Sequence, residues 1–257
     1  MSYLNRPSFR MSGFGRASLG SREGGMSSCA TCAVRRTGFC RFVPDRHVSE
    51  YESIRTGPKS APAKSMLAPP RHGQHFYIVK QGWAALFGMV PDGRTKITGI
   101  LVAGDMAPLS SLFGASAGLN VRAITPVAYC TVDVAAFHRF LCRHPDLVDS
   151  LYDAIGQMLS RCEQMAVHLG ALTAKEAMLY LLHGLAGKVA SGADLSEVTL
   201  PLRVKLLAEF VGVTPVHAGR LLNELEEAQI LRRTEEGLVL YRPALARAAA
   251  ANGPAPV

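Results

Sequence analysis

Hydrophobic positions along the chain follow two different rhythms. Between His75 and Val132, apolar and β-branched residues bunch into short runs: Phe76 to Lys80, Trp83 to Val90, Thr95 to Val102 and Val121 to Val132. Runs of that length and composition predict strands of an antiparallel β-roll or barrel-like sandwich. Pro91-Asp92-Gly93 supplies a turn between the second and third runs, and Gly104-Asp105 marks another. From Pro145 the rhythm becomes helical. Leu147, Leu151, Ile155, Met158, Cys162, Met165 and Leu169 recur at spacings of three and four. They predict one long helix over 144–172, with an apolar stripe able to pair with a copy of itself. Thr173-Ala-Lys-Glu176 reads as a capping box for a further helix, Ala174 to Val189, followed by a loop over Ser191 to Val198.

The stretch PLRVKLLAEFVGVTPVHAGRLLNELEEAQIL, Pro201 to Leu231, holds two more helical runs. Leu206, Leu207 and Phe210 belong to the first; Ala218, Leu221, Leu222 and Leu225 belong to the second. Gly212 stands between them, where a tight turn needs a residue without a Cβ. Thr214 is placed to cap the second helix and Pro215 suits its first turn. This is a helix-turn-helix pattern, whose second helix is expected in the major groove of double-stranded DNA. Thr214, Val216, His217, Gly219, Arg220 and Asn223 are the candidate DNA-contacting positions. Arg220 leads them, because a guanidinium fork matches the two acceptors of guanine. Ile230 to Arg233, the turn Glu235-Glu236-Gly237 and Leu238 to Tyr241 read as a wing, with Arg232 and Arg233 placed for phosphates.

Composition agrees with that partner. The net charge is +8 over 257 residues, which favours an anionic ligand. The first 28 residues, rich in Gly, Ser, Arg and Met, read as a tail, as do residues 249–257. Val43 to Pro70 is polar, with a short helix expected near His47 to Ile54 and a loop through the Pro/Ser/Lys stretch Pro58 to Lys64. No apolar stretch is long enough to span a bilayer, and the N-terminus lacks a secretory core. A cytoplasmic protein with reduced thiols is therefore expected. Six cysteines in that setting point to metal or redox chemistry. Cys29 and Cys32 form a CxxC pair and Cys40 follows on the same loop; a fourth thiolate would complete a tetrahedral zinc or an iron–sulfur site. The fourth ligand stays open among Cys130, Cys142, Cys162 and a histidine such as His47. No nucleophile-base motif or phosphate-cradling glycine loop is present, so an enzyme is not expected.

The order of parts resembles the CRP/FNR family of bacterial transcription regulators: cysteine loop and β-roll (29–143), dimerisation helix (144–172), winged helix-turn-helix (173–248). The resemblance runs from about Cys29 to Tyr241. It is carried by GWAALFGMVPDGRTKITGILVAG (Gly82 to Gly104), VRAITPVAYCTV (Val121 to Val132), the long helix and Leu207 to Leu231. It implies an α+β fold with a β-roll of the cyclic-nucleotide-binding type, a homodimer and communication with RNA polymerase. The cyclic-nucleotide branch carries a Gly-Glu pair and an Arg-Ser pair; here Pro108-Leu109 and Ala117-Gly118 stand at those places, without the carboxylate or the guanidinium. The FNR branch carries an N-terminal cysteine cluster and one internal cysteine. Resemblance to it implies a [4Fe-4S] cluster on Cys29, Cys32, Cys40 and Cys130, sensing oxygen or redox state and controlling dimerisation. Cys142 and Cys162 match no ligand position and are expected to be structural. The sequence also admits zinc or a dithiol switch at the cysteines, and a haem sensor of nitric oxide, although His72, His75, His138, His144 and His168 form no haem-attachment motif. One departure bears on the operator. The FNR branch presents a glutamate and then a Ser-Arg pair on its reading helix; here Val216 and Gly219 replace the first two and only Arg220 remains.

Overall fold

The computed structural model describes residues 28–36, 38–67, 74–89, 93, 95–113, 115, 118–190 and 195–252, without the side chains of 168, 169 and 252. The expected N-terminal tail, the Pro91-Asp92 turn and Ala117 lie outside those residues. In chain order the elements are α1 (Val48–Ser53), β1 (Arg55–Ala61), β2 (His75–Gln81), β3 (Ala84–Met89), β4 (Thr95–Leu101), β5 (Met106–Ala107), β6 (Leu119–Ala123) and β7 (Val127–Asp133). Then follow α2 (Val134–Arg143), α3 (Val148–Ala171), α4 (Ala174–Val189), β8 (Glu197–Leu200), α5 (Val204–Val211), α6 (Pro215–Glu227), β9 (Leu231–Arg233), β10 (Leu238–Tyr241) and α7 (Arg242–Asn252).

The β-roll is two antiparallel sheets, ordered β1-β7-β2-β5 and β4-β3-β6. Its strands match the apolar runs within a few residues. Strand β1 was expected to be loop. Its Pro58 removes a ladder donor, which an edge strand tolerates because it pairs on one side only. The register against β7 shifts between Thr56 and Lys59, at that proline. Helix α2, also not separated in the sequence reading, starts where the Asp133 carboxylate accepts from Ala136 N at 2.7 Å. It stops before Pro145, which disfavours helix at the preceding residue.

The predicted capping box is present: Glu176 N donates to Thr173 Oγ1 and Thr173 N donates to Glu176 Oε2 at 2.7 Å. Helix α7 replaces the start of the expected tail. Its alanine run favours helix, and Leu245, fully buried, anchors it.

Besides a third inside the β-roll, two hydrophobic cores tie the parts of the chain together. One is aromatic: Phe39, Phe42, Tyr51, Phe76, Phe137 and Phe140 pack with Leu147 and Leu151 at the start of the long helix. Phe76 and Phe137 meet edge-to-face at 5.2 Å, as do Phe42 and Phe137 at 5.9 Å, a preferred aromatic arrangement. The other core joins the β-roll to the DNA-binding domain. Ala85, Phe87, Ile97 and Ile100 of β3 and β4 pack with Leu182, Leu207, Phe210 and Leu222. Polar ties border it: Arg122 reaches Glu209 at 3.3 Å and lies over the Phe87 ring.

Candidate functional site

The cysteine pocket is built from three segments. A short 3-10 turn, Cys29–Thr31, brings Cys29 and Cys32 to one side. A second, Phe39–Phe42, turns Cys40 inward between two buried aromatics. Cys130 stands in mid-strand on β7, opposite Ile78 of β2. All four cysteines line one pocket with Val34, Arg35, Tyr51, Arg55, Ile78 and Lys80. Cys29, Cys40 and Cys130 are buried and Cys32 is partly open to solvent. Cys142 and Cys162 are exposed and do not line the pocket; Cys162, expected on an apolar stripe, is open to solvent. His47 is not among the residues lining the pocket either.

Residues the sequence reading did not single out complete the pocket. Arg55 donates through Nε to Cys29 Sγ at 2.8 Å and through Nη1 to Cys130 Sγ at 3.6 Å. Glu52 pairs with Arg55 at 2.9 Å and accepts from the Cys29 backbone N–H. The Tyr51 hydroxyl lies 3.6 Å from Cys40 Sγ. Burial pushes the Cys40 thiol up to about 12, with Tyr51 pulling the other way. Burial likewise raises Cys29 and Cys130, against the pull of Arg55. Buried thiols beside a fixed cation form a donor set for a cationic inorganic centre, which takes the thiolates and releases their protons. Either a tetrahedral zinc or an iron–sulfur cluster takes such a set of thiolates.

The reading helix has the expected form. Gly212 ends α5 with φ +88, and Thr214 Oγ1 accepts from His217 N at 3.2 Å to cap α6. Ala218, Leu221, Leu222 and Leu225 are buried, while Thr214, Val216, His217, Arg220 and Asn223 face solvent. Gly219 lies half-buried, with open space where a Cβ would sit. The wing gains a strand that the sequence reading left in a loop: β8 pairs with β10, giving the order β8-β10-β9. Arg233 is bound to Glu226 at 2.6 Å, which braces α6 against the wing. Arg232 is half-exposed, with Glu197 at 3.8 Å.

The cyclic nucleotide-binding domain family matches residues 69–144, and the Crp-like helix-turn-helix domain family matches residues 177–248. Together they cover more than half of the chain. The chain belongs to the CRP/FNR family of transcription regulators. Among similar proteins, the nitrogen fixation regulation protein FixK of Bradyrhizobium diazoefficiens is 25% identical over 87% of this chain and 94% of its own. The transcriptional activatory protein AadR of Rhodopseudomonas palustris is 24% identical over 84% and 90%. The structure of FixK2 from Bradyrhizobium japonicum superposes with a TM-score of 0.64 and 18% identity, over 77% of this chain and 98% of that one.

As a member of that family the chain is a DNA-binding transcription regulator. In its β-roll Pro108 leads into a 3-10 turn, Leu109–Phe113, and Arg122 is engaged by Glu209. The long helix of this regulator is corrected in one respect. Leu147 and Leu151, expected on a dimer face, are 2% and 6% exposed within the aromatic core of their own domain. Ile155 and Met158 pack against that core, and Met165 against the other. The Leu169 side chain lies outside the described residues, and Cys162 is exposed. Among the described residues, no helix is long and apolar enough to cross a membrane.

Proposed function

We propose that this regulator senses oxygen or redox state through a [4Fe-4S] cluster held by Cys29, Cys32, Cys40 and Cys130. The observation that carries this reading is the convergence of four cysteines from three segments on one pocket, while the other two stand exposed elsewhere. When bound, the cluster supplies an oxidant-sensitive inorganic core. The chain's own residues do the rest. Ligation by Cys130 fixes the 28–43 segment to the rigid β7–β2 ladder. That segment already reaches the long helix, since Arg41 donates to Gln157 at 2.7 Å. Phe39 and Phe42 also share a core with Leu147 and Leu151. Release of the cysteines therefore loosens the packing at the root of α3.

An exposed stripe on α3 supports a homodimer in which this change is read. Tyr152, Leu159, Cys162 and Ala166 lie on it at heptad positions beside the half-buried Ile155, and Tyr152 is 65% exposed. A bias of about 1.4 kcal/mol at that seam changes the dimer constant tenfold. The dimer sets two copies of α6 on successive major grooves, about 34–36 Å apart. Activation of transcription, the role of the similar AadR protein, is the output, with RNA polymerase as the partner. The test is operator retardation by anaerobic and by air-exposed protein. Binding lost on exposure, and absent in Cys32→Ala under both conditions, supports the reading; equal binding throughout refutes it.

A further inference from the structure

Outside the cysteine pocket, two histidines and a carboxylate meet where the sensor segment touches the root of the long helix. Among the described residues, His47, His144 and Asp146 form a group whose ligand atoms all lie within 4.8 Å of one another. His47 ends the 3-10 turn that leads into α1, and His144 and Asp146 lie in the link between α2 and α3. The two imidazole ring centres lie 4.0 Å apart, with the rings tilted at 41°. Both are only 15% exposed, whereas Asp146 is 43% exposed and open to an entering ion.

The hydrogen bonds show lone pairs directed at a cation. Arg46 donates through Nε to His47 Nε2 at 3.1 Å, and its terminal nitrogen donates to Asp146 Oδ2. In the tautomer protonated at Nδ1, His47 Nε2 presents its lone pair here, 3.3 Å from Asp146 Oδ2. Arg46 bridges these two acceptors from an exposed side chain that can swing into solvent. His144 has the carboxylate partner that metal-bound histidines usually have: its Nε2 meets Glu50 Oε2 at 2.6 Å, and the neutral ring that donates there keeps a lone pair on Nδ1. Arg143 holds Glu50 in turn, with Nε at 2.7 Å.

We infer that His47, His144 and Asp146 form a second metal site, for a divalent transition ion such as Zn2+, Ni2+ or Co2+. Two imidazoles and one carboxylate suit that class, with water completing the shell. The ion displaces Arg46 and clamps the segment that follows Cys40 to the link between α2 and α3. The regulator then takes a second input at the same hinge, one independent of the thiolates.

Titration of the full chain with Co2+ tests this, because nitrogen and oxygen ligands give cobalt d–d absorption without thiolate charge-transfer bands. The expected result is such a spectrum in the wild type and in Cys32→Ser. Affinity should fall at least about tenfold in His47→Ala, His144→Ala and the isosteric Asp146→Asn, with far-ultraviolet circular dichroism unchanged in the last. Cobalt bound only with thiolate charge-transfer bands, no cobalt bound, or full affinity retained in all three variants overturns the proposal.

Discussion

Arg55 Nε donates to Cys29 Sγ at 2.8 Å from a guanidinium whose side chain is only 3% exposed. Its Nη1 lies 3.6 Å from Cys130 Sγ, so one buried cation faces sulfurs of both the loop and the strand. A buried thiolate needs that counter-charge, since burial alone favours the protonated form. Arg55→Met should therefore release the bound inorganic group at least about tenfold faster under a chelator, and Arg55→Lys should fall between. Release at the wild-type rate would show that Arg55 only braces Glu52.

Cysteine substitutions should divide by location. Cys130→Ala and Cys32→Ala should each cost the cluster, while Cys142→Ala, on the surface of α2, should not. Visible absorbance of anaerobic preparations checks this. Bleaching on loss of Cys142 but not of Cys130 would mean a different ligand set.

Gly38 meets Gly104 backbone to backbone. A Cβ on Gly38 would stand 2.3 Å from Gly104 Cα, and Phe39 N donates to Gly104 O at 2.8 Å in the same contact. Neither backbone can yield as a flexible side chain would. Gly38→Ala should lift the cysteine segment from the β-roll and lower thermal stability by about 1–3 kcal/mol. An unchanged melting temperature would show that the segment docks without this contact.

On the long helix, two leucines on different faces should behave oppositely. Leu151→Ala should cost about 2–5 kcal/mol of folding stability, because it empties a packed core. Leu159→Ala, on the exposed stripe, should leave folding within about 0.5 kcal/mol yet weaken the dimer. Mild oxidation of a Cys142→Ser variant should also link Cys162 to its counterpart across the seam. Failure to crosslink, with sedimentation unaffected by Leu159→Ala, would place the seam elsewhere.

The reading helix offers the sharpest functional contrast. Arg220→Ala should cost about 1–3 kcal/mol of specific binding and leave assembly unchanged; retained operator affinity refutes the assigned contact. Gly219→Ala, by contrast, meets open space and should stabilise α6 by up to about 1 kcal/mol.

Much of this was legible in the chain, and the parts that were not have physical causes. The strands with two-sided apolar runs, α4 with its capping box and α6 with Thr214 and Pro215 announce themselves locally. Strand β1 hides behind Pro58, β8 is only four residues long, and α7 has too few apolar residues to show a stripe. The dimer face was misplaced for a geometric reason. Leu151, Met158 and Met165 run parallel to Tyr152, Leu159 and Ala166 at the same heptad spacing, one residue apart. Periodicity alone does not tell which row meets the chain's own core. The four cysteines were found by spacing and resemblance, but Arg55 was not, because a lone arginine before a polar stretch carries no local signal of its place between two sulfurs.

The central claim is that four thiolates hold an iron–sulfur core, and elemental analysis of protein purified wholly without air tests it directly. About four iron and four acid-labile sulfide per chain are predicted, falling away in Cys130→Ala. Stoichiometric zinc with no acid-labile sulfide would contradict it.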